Sequence, residues 1–173
     1  PWKIRTTDVE DPIFDAFFGA VESAGYEKAE DYNGAVQDGF ARLQVNAVNG
    51  RRQSAAVAYL RPAMKRPNVE VQVRAHVTRV IFDGTRATGI EYVQDGKTRR
   101  VGAGKEVILS GGAINSPQVL MLSGVGPADH LKDIGVEVRH DLAGVGSDLQ
   151  DHPAIGLEYH YLKGSQFHRQ LRL

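Results

Sequence analysis

Residues 106–126 carry the sequence EVILSGGAINSPQVLMLSGVG, which passes from an apolar run through small residues into a helical pattern. The apolar run predicts a strand over 106–110, and the helical pattern predicts a helix near 117–122. Between them lies a turn (the 110–113 turn) made of Ser110, Gly111, Gly112 and Ala113. Small residues after a buried strand let a ligand approach the backbone, and the helix that follows directs its amides toward anionic groups. The strand, turn and helix are typical of a nucleotide-binding unit, although glycines after a strand also form plain turns.

The residues before this unit alternate between apolar and polar types and predict an antiparallel β-meander over 67–102. Short turns that contain Asp-Gly pairs separate its strands. The expected strands run from Val69 to Val73 and over 76–82, 87–94 and 97–101. Because helices are expected on both sides of the meander, the predicted fold class is α/β in the wider sense of α+β.

Helices and turns are predicted on either side of the meander. Asp11 is expected to cap a helix that runs to Ala24, since Pro12 suits the first helical turn. Asn49 and Gly50 form the sharpest turn signal in the chain. Downstream, the pattern predicts a short helix, a strand and an alternating segment, at 127–134, at 136–140 and at Leu157, Tyr159 and Tyr161.

The composition excludes several functional classes. Hydrophobic residues make up 42% and charged residues 24% of the 173 residues, as in ordinary globular domains. Lysine and arginine balance aspartate and glutamate at 21 each, so no charge bias indicates nucleic acid as a partner. The chain has no cysteine, which excludes disulfides and thiol nucleophiles. No apolar run approaches about 18 residues and no targeting signal is visible, so a cytoplasmic or membrane-peripheral location is the expectation.

Two longer strings of residues are the most specific signals in the sequence. The first is GAINSPQVLMLSGVG at 112–126, and the second is GVGSDLQDHP at 144–153. Both resemble signature segments of the glucose–methanol–choline (GMC) oxidoreductases, and the upstream residues resemble the choline dehydrogenase-like branch of that family. Asp148 stands where the family pattern more often has asparagine. The resemblance covers nearly the whole chain in the correct order.

The resemblance implies a partial FAD-binding domain of the GMC type. The meander and the strand-turn-helix unit would belong to the FAD domain at 67–153, residues 1–66 would bridge the FAD and substrate domains, and 154–173 would begin the substrate domain. The implied FAD contacts are the backbone of Val77, against adenine, and the 110–113 turn, against the ADP half of the cofactor.

The resemblance also implies a reaction for the intact enzyme. It is the FAD-dependent oxidation of an alcohol (choline-like, polyol or simple) by hydride transfer to flavin, with oxygen or a quinone as the electron acceptor. The family's glycine-rich pyrophosphate turn is expected before Pro1 and its catalytic histidine beyond Leu173, so no catalytic residue is assigned within the chain. The chain is therefore expected to be an internal piece that is inactive by itself and able to self-associate.

Residues that suggest other kinds of site have simpler interpretations. His152 follows Asp151 and is expected to shape the turn before Pro153. Ser116 is expected to cap a helix, and no G-x-S-x-G nucleophile pattern occurs. No metal site is predicted, because the spacing of the candidate ligands does not match a metal-binding pattern. These candidates are His140, Asp141, Asp148 and Asp151.

Two other functional classes stay open on the residues alone. A non-catalytic nucleotide-binding or interaction module would keep the meander and the 110–113 turn without any further segment. An NAD-linked enzyme is less favoured, because the chain contains no G-x-G-x-x-G fingerprint with its ribose-binding acid.

Overall fold

The computed structural model describes residues 3–7 and 10–158 of the chain. The chain divides into two compact units, of which the first is Pro1–Glu70 with Ile155–Leu173 and the second is Val71–Ala154. Short helices and small, mostly antiparallel sheets confirm the predicted α+β class. In the described ranges, no helix is long and apolar enough to cross a membrane. Tyr159 and Tyr161 lie outside the described residues.

The first unit opens with a strand and a capped helix. Strand β1 (Arg5–Thr6) pairs antiparallel with β2 (Gln44–Val45). Helix α1 (Pro12–Ser23) begins where the sequence predicts, because the Asp11 carboxylate accepts a hydrogen bond of 3.1 Å from the Ile13 amide. The predicted first helix is therefore confirmed together with its cap.

A hairpin and an irregular helix complete the first unit. Strands β3 (Ala47–Val48) and β4 (Arg51–Arg52) pair across Asn49 and Gly50, whose φ angles are 50° and 70°. Both angles lie in the left-handed region that Asn and Gly tolerate, so the predicted turn is confirmed. A π-helical turn, Ala56–Leu60, then runs into helix α2 (Arg61–Ala63).

The second unit begins with the meander. It consists of β5 (His76–Asp83), β6 (Arg86–Gln94) and β7 (Lys97–Gly102), in the order β5-β6-β7 and antiparallel throughout. These three strands confirm the predicted ones at 76–82, 87–94 and 97–101.

The additional strand predicted from Val69 to Val73 is wrong, because residues 69–73 join no sheet. Val73 is 64% exposed, and its carbonyl accepts a hydrogen bond from the Gln94 side chain instead of from a neighbouring strand. Alternation of apolar and polar residues creates a face for burial, but a strand also requires a partner for its backbone.

The rest of the second unit alternates short helices and strands. Helix α3 (Gly112–Leu122), β8 (Val125–Gly126), α4 (Ala128–Asp133) and β9 (His140–Asp141) follow in chain order. Strand β8 pairs parallel with β9, so the strand predicted at 136–140 shortens to its last residue and the one after it. The helix predicted near 117–122 begins five residues earlier, at Gly112, with Pro117 inside it.

The strand predicted at 106–110 is not formed. Residues 103–110 belong to no strand, and Ile108 is 76% exposed. The Ala103 amide still bonds the Thr88 carbonyl of β6, but none of the strands that the structure describes pairs with residues 106–110, and a strand without a partner does not form.

Candidate functional site

The 110–113 turn leads directly into α3 and is shaped by two different glycine requirements. At Gly111 an added Cβ would lie 3.1 Å from the Asn115 Cβ and 3.3 Å from the Ser116 amide nitrogen, so a side chain there would require these neighbours to shift by a few tenths of an ångström. At Gly112 the space is open, but φ is +88°, a conformation that other residues adopt only with strain. Close packing therefore favours glycine at 111, and backbone conformation favours it at 112.

Ser116 holds the turn in place from inside the helix. Its hydroxyl accepts a hydrogen bond of 2.9 Å from the Gly111 amide. The sequence predicts that Ser116 caps the helix from the residue before it. Ser116 lies instead in the second turn of α3, and its hydroxyl binds the amide of Gly111, the residue before the helix. This contact fixes the backbone that precedes the first helical amides.

All four residues of the 110–113 turn are exposed. An added Cβ at Gly112 would meet no atom within 4 Å, so the outer side of the turn is open. The amides in the first turn of a helix have no acceptor within that helix, and they carry its positive dipole end. The turn can therefore offer N–H donors to an anionic or hydroxyl-bearing ligand.

Val77 lies on β5, at the edge of the meander. It is half-buried and is paired in register with Tyr92 of β6. A bulge follows it, in which Thr78 is the extra residue and bonds the Glu91 carbonyl at 3.1 Å. In the sheet that the structure describes, β5 pairs with β6 alone, so its other backbone edge is not occupied by a strand. An open strand edge can present both N–H and C=O groups to a planar ligand.

Ser123 joins the helix that follows the turn to the strand that carries Val77. The Ser123 hydroxyl accepts a hydrogen bond of 2.8 Å from the Val80 amide and donates to the Val119 carbonyl. Ser123 is 4% exposed and Val80 is 5% exposed, so the bond is shielded from water. Nothing in the sequence pattern distinguishes Ser123 except that a hydroxyl residue follows an apolar run.

Ser123 brings two elements together without joining the two predicted contact points themselves. Among the hydrogen bonds described for residues 71–154, none links Val77 to the 110–113 turn. The structure therefore supports a common scaffold for the two points, with α3 packed on β5.

The two signature strings meet at Met121. An added Cβ at Gly126 would lie 2.9 Å from the Met121 Cγ, and one at Gly146 would lie 3.2 Å from the Met121 Cε. The Leu142 amide donates to the Gly126 carbonyl at 2.9 Å, and the Asp141 carboxylate accepts from the Ala128 amide at the start of α4. The glycines of both strings therefore pack closely on one flexible side chain, and Gly146 also has a φ of +78° that favours glycine.

Asp148, the departure from the family pattern, has a backbone explanation. Its φ is +54°, in the left-handed region. Asparagine and aspartate are the non-glycine residues that enter this region most readily, so either one satisfies the turn.

The Asp151–His152 pair does not have the geometry of a base and its orienting acid. The Asp151 carboxylate accepts a hydrogen bond of 2.8 Å from the backbone amide of His152, and both residues are exposed. The carboxylate therefore holds the backbone of the segment rather than the imidazole.

One carboxylate ties the three strands of the meander together. Glu91 on β6 accepts bonds of 3.0 Å from the Nε and Nη2 atoms of Arg79 on β5 and lies 2.9 Å from Nη2 of Arg100 on β7. The Arg79 guanidinium, followed by that of Arg100, lowers the pKa of Glu91 to about 2.

Comparison with known proteins gives the same family throughout. The family model described as GMC oxidoreductase matches residues 2–154. An oxygen-dependent choline dehydrogenase of Staphylococcus saprophyticus is 49% identical over 159 residues, which are 92% of this chain and 28% of that protein.

Two solved structures have the same fold. Pyridoxine 4-oxidase from Mesorbium loti has a TM-score of 0.75 and 32% identity over 83% of this chain and 28% of its own. An FAD-dependent oxidoreductase from Chaetomium thermophilum has a TM-score of 0.80 and 28% identity over 87% of this chain and 27% of its own. The chain thus spans little more than a quarter of the length of the proteins that it matches.

Proposed function

Because this chain belongs to the GMC oxidoreductase family, we propose that it supplies part of the FAD-binding domain of an enzyme that oxidises an alcohol. The observation that carries the proposal is the 49% identity with an oxygen-dependent choline dehydrogenase over 92% of the chain. The named activity of that relative makes a choline-like alcohol the first substrate to test and oxygen the first electron acceptor. When bound, FAD supplies the redox chemistry by accepting a hydride from the alcohol.

The residues present fit the adenosine half of FAD. The 110–113 turn is exposed, has open space at Gly112 and lies at the amino end of an 11-residue helix. In the proposed site, Gly112 and Ala113 donate backbone N–H groups to the ADP portion, with Ser110 and Gly111 beside them. Val77 offers backbone groups from β5 to the edge of adenine, and Ser123 keeps α3 and β5 in register.

We propose a separate role for each of three segments of the chain. Residues 67–153 contribute to the FAD domain, residues 1–66 bridge toward the substrate domain, and 154–173 begin the substrate domain. We assign no catalytic residue within the chain, since His152 has its neighbouring carboxylate on its backbone. The chain's own contribution is binding and orientation of the cofactor rather than proton transfer.

A titration of the isotope-labelled chain with ADP tests the adenosine contacts. Backbone NMR resonances of Val77 and of the 110–113 turn are expected to shift in a saturable manner. Gly112→Ala is expected to remove the shifts at the turn, because φ at this position is +88°.

Gly135→Ala is the matched control for this titration. Gly135 also has a positive φ, of +75°, and no atom within 4 Å of an added Cβ, but it follows α4 rather than the turn. ADP shifts that are lost equally in both variants, or that cluster away from Val77 and the turn, would contradict the proposed site.

We also propose that the chain self-associates through its unpaired 103–110 segment. Residues 105–110 of this segment pair with no described strand, and they include the exposed Ile108. An unpaired backbone edge beside an exposed apolar side chain favours pairing with a second copy.

A further inference from the structure

A cavity of about 250 Å³ lies along β5 in the second unit, away from the proposed flavin contacts. Neither Val77 nor any residue of the 110–113 turn lines it. Its apolar lining is contributed by Val80, Ile81, Phe82, Leu122 and Val136. Ligand pockets for drug-sized molecules start at about 300 Å³, so this cavity suits a smaller ligand.

Charged side chains surround this apolar lining. Arg79, Arg100 and Arg139 line the cavity together with Glu137. Arg79 and Arg100 each use their Nε and Nη2 atoms to bind Glu91. A guanidinium has five N–H donors, so each of these two arginines keeps donors beyond those that Glu91 engages. With Glu91 and Glu137 counted against the three arginines, the surroundings of the cavity carry one net positive charge.

The stem of the Arg139 side chain packs closely on Gly124, and both residues line the cavity. An added Cβ at Gly124 would lie 2.9 Å from the Arg139 Cγ and 2.5 Å from the Glu137 carbonyl oxygen, so the side-chain stem crosses a position where only glycine fits. The Arg139 amide also donates to the Gly124 carbonyl at 2.8 Å. Within residues 71–154, no ion pair or side-chain hydrogen bond is described for the Arg139 guanidinium.

We propose that this cavity binds a small organic anion, with a carboxylate or phosphate group on a compact apolar body. Arg139 supplies the unengaged guanidinium for the charged group, because a planar fork of N–H donors matches an oxyanion. Arg79 and Arg100, fixed by Glu91, add positive charge to the lining, while Val80, Phe82 and Leu122 contact the apolar body. This site does not depend on the proposed flavin contacts.

Benzoate and benzamide are suitable probes, since they have similar size and differ in charge. The 173-residue chain is titrated with each, and backbone resonances of Val80, Ser123 and Gly124 and the Arg139 Nε resonance are followed by NMR. We expect saturable shifts of these resonances with benzoate and none with benzamide. Inorganic phosphate, titrated in parallel, is expected to bind more weakly than benzoate because it lacks an apolar body.

Arg139→Gln and Arg99→Gln separate a specific contact from general loss of charge. Arg99 is exposed on β7 and does not line the cavity, so both variants remove one positive charge and only one removes the guanidinium of the site. Arg139→Gln is expected to weaken benzoate binding about tenfold, as loss of one charge-assisted contact predicts, and Arg99→Gln to change it by less than about twofold.

Circular dichroism confirms that the variants are folded, and Arg139→Lys provides a second measurement. Lysine keeps the charge but loses the fork, so its affinity is expected to lie between those of the wild type and Arg139→Gln. The proposal is overturned if benzoate does not saturate the cavity resonances, if benzamide binds equally well, or if the variants at 139 and 99 weaken binding to the same extent.

Discussion

Residues 76–102 and residues 103–110 follow one another in the chain and both carry aliphatic side chains suited to strands, yet only the first stretch forms a sheet. In the meander each strand meets its partner after a turn of a few residues, as at Asp95 and Gly96, with φ angles of 52° and 71°. Such short loops cost little entropy to close. Beyond Ala103, which still bonds Thr88 of β6, the 103–110 segment has no partner among the described strands, and its Ile108 stays exposed.

The two regions show that side-chain pattern and backbone pairing are separate requirements. The alternation of residues decides which face of a strand can be buried. The ladder of hydrogen bonds decides whether the strand exists at all. The proposed cofactor turn begins where the unpaired segment ends, and it leads into the regular helix α3.

The largest expected effect concerns FAD itself. The chain contains no G-x-G-x-x-G turn for the pyrophosphate, so we expect the purified chain to retain no FAD and to oxidise no alcohol. Each missing charge-assisted hydrogen bond removes about 1.5–3 kcal/mol, and each 1.4 kcal/mol weakens binding about tenfold. The absorbance spectrum after incubation with FAD and desalting measures this. A retained flavin band, or dye reduction with choline, would contradict this prediction. It would show that the chain binds FAD or oxidises choline without a G-x-G-x-x-G turn.

The second prediction concerns the hydrogen bond that joins β5 of the meander to the residue that follows α3. Ser123→Ala removes the acceptor of the buried Val80 amide and is expected to lower the free energy of unfolding by about 1–3 kcal/mol. Ser147→Ala is the control, since the Ser147 hydroxyl donates to the Ala143 carbonyl at an exposed position, and the expected change is below about 0.5 kcal/mol. Urea denaturation followed by circular dichroism gives both values. Equal losses in the two variants would mean that the Ser123 bond does not stabilise the packing of α3 on β5.

The third prediction addresses the unpaired segment. The wild-type chain is expected to associate as its concentration rises, and Ile108→Lys to weaken that association about fivefold, equivalent to about 1 kcal/mol. Ile134→Lys is the matched control, because Ile134 is also exposed, at 52%, but lies at the end of α4. Size-exclusion chromatography with light scattering distinguishes the variants. A wild-type chain that stays monomeric at all concentrations would exclude pairing through 103–110.

The smallest expected effect comes from pH, and it acts on the meander alone. The folded-state pKa of Glu91, about 2, lies below the ordinary value, so its ion pairs stabilise the fold above the unfolded-state pKa. That contribution declines as the pH falls through the unfolded-state pKa of about 4.3 toward 2. Urea unfolding at several pH values should show a steeper acid loss for wild type than for Glu91→Gln. Glu106→Gln, at an exposed position outside the meander, should keep the wild-type slope.

Local features were predictable from the sequence because their determinants are neighbours in the chain. Asp11 caps α1 from one residue away, and Asn49 and Gly50 take the left-handed angles that their turn requires. The strings at 112–126 and 144–153 likewise indicated the family before any fold was known, since specificity there lies in residue order.

Only the tertiary structure decided which of these elements meet. The bond from Val80 to Ser123 joins residues 43 apart, Met121 fills the space left by Gly126 and Gly146, and Arg139 crosses Gly124. No spacing rule predicts such contacts, because they depend on how the chain returns to itself after several turns. For the same reason the sequence predicted a strand at 106–110 from its side chains, whereas the fold left that segment without a partner for its backbone.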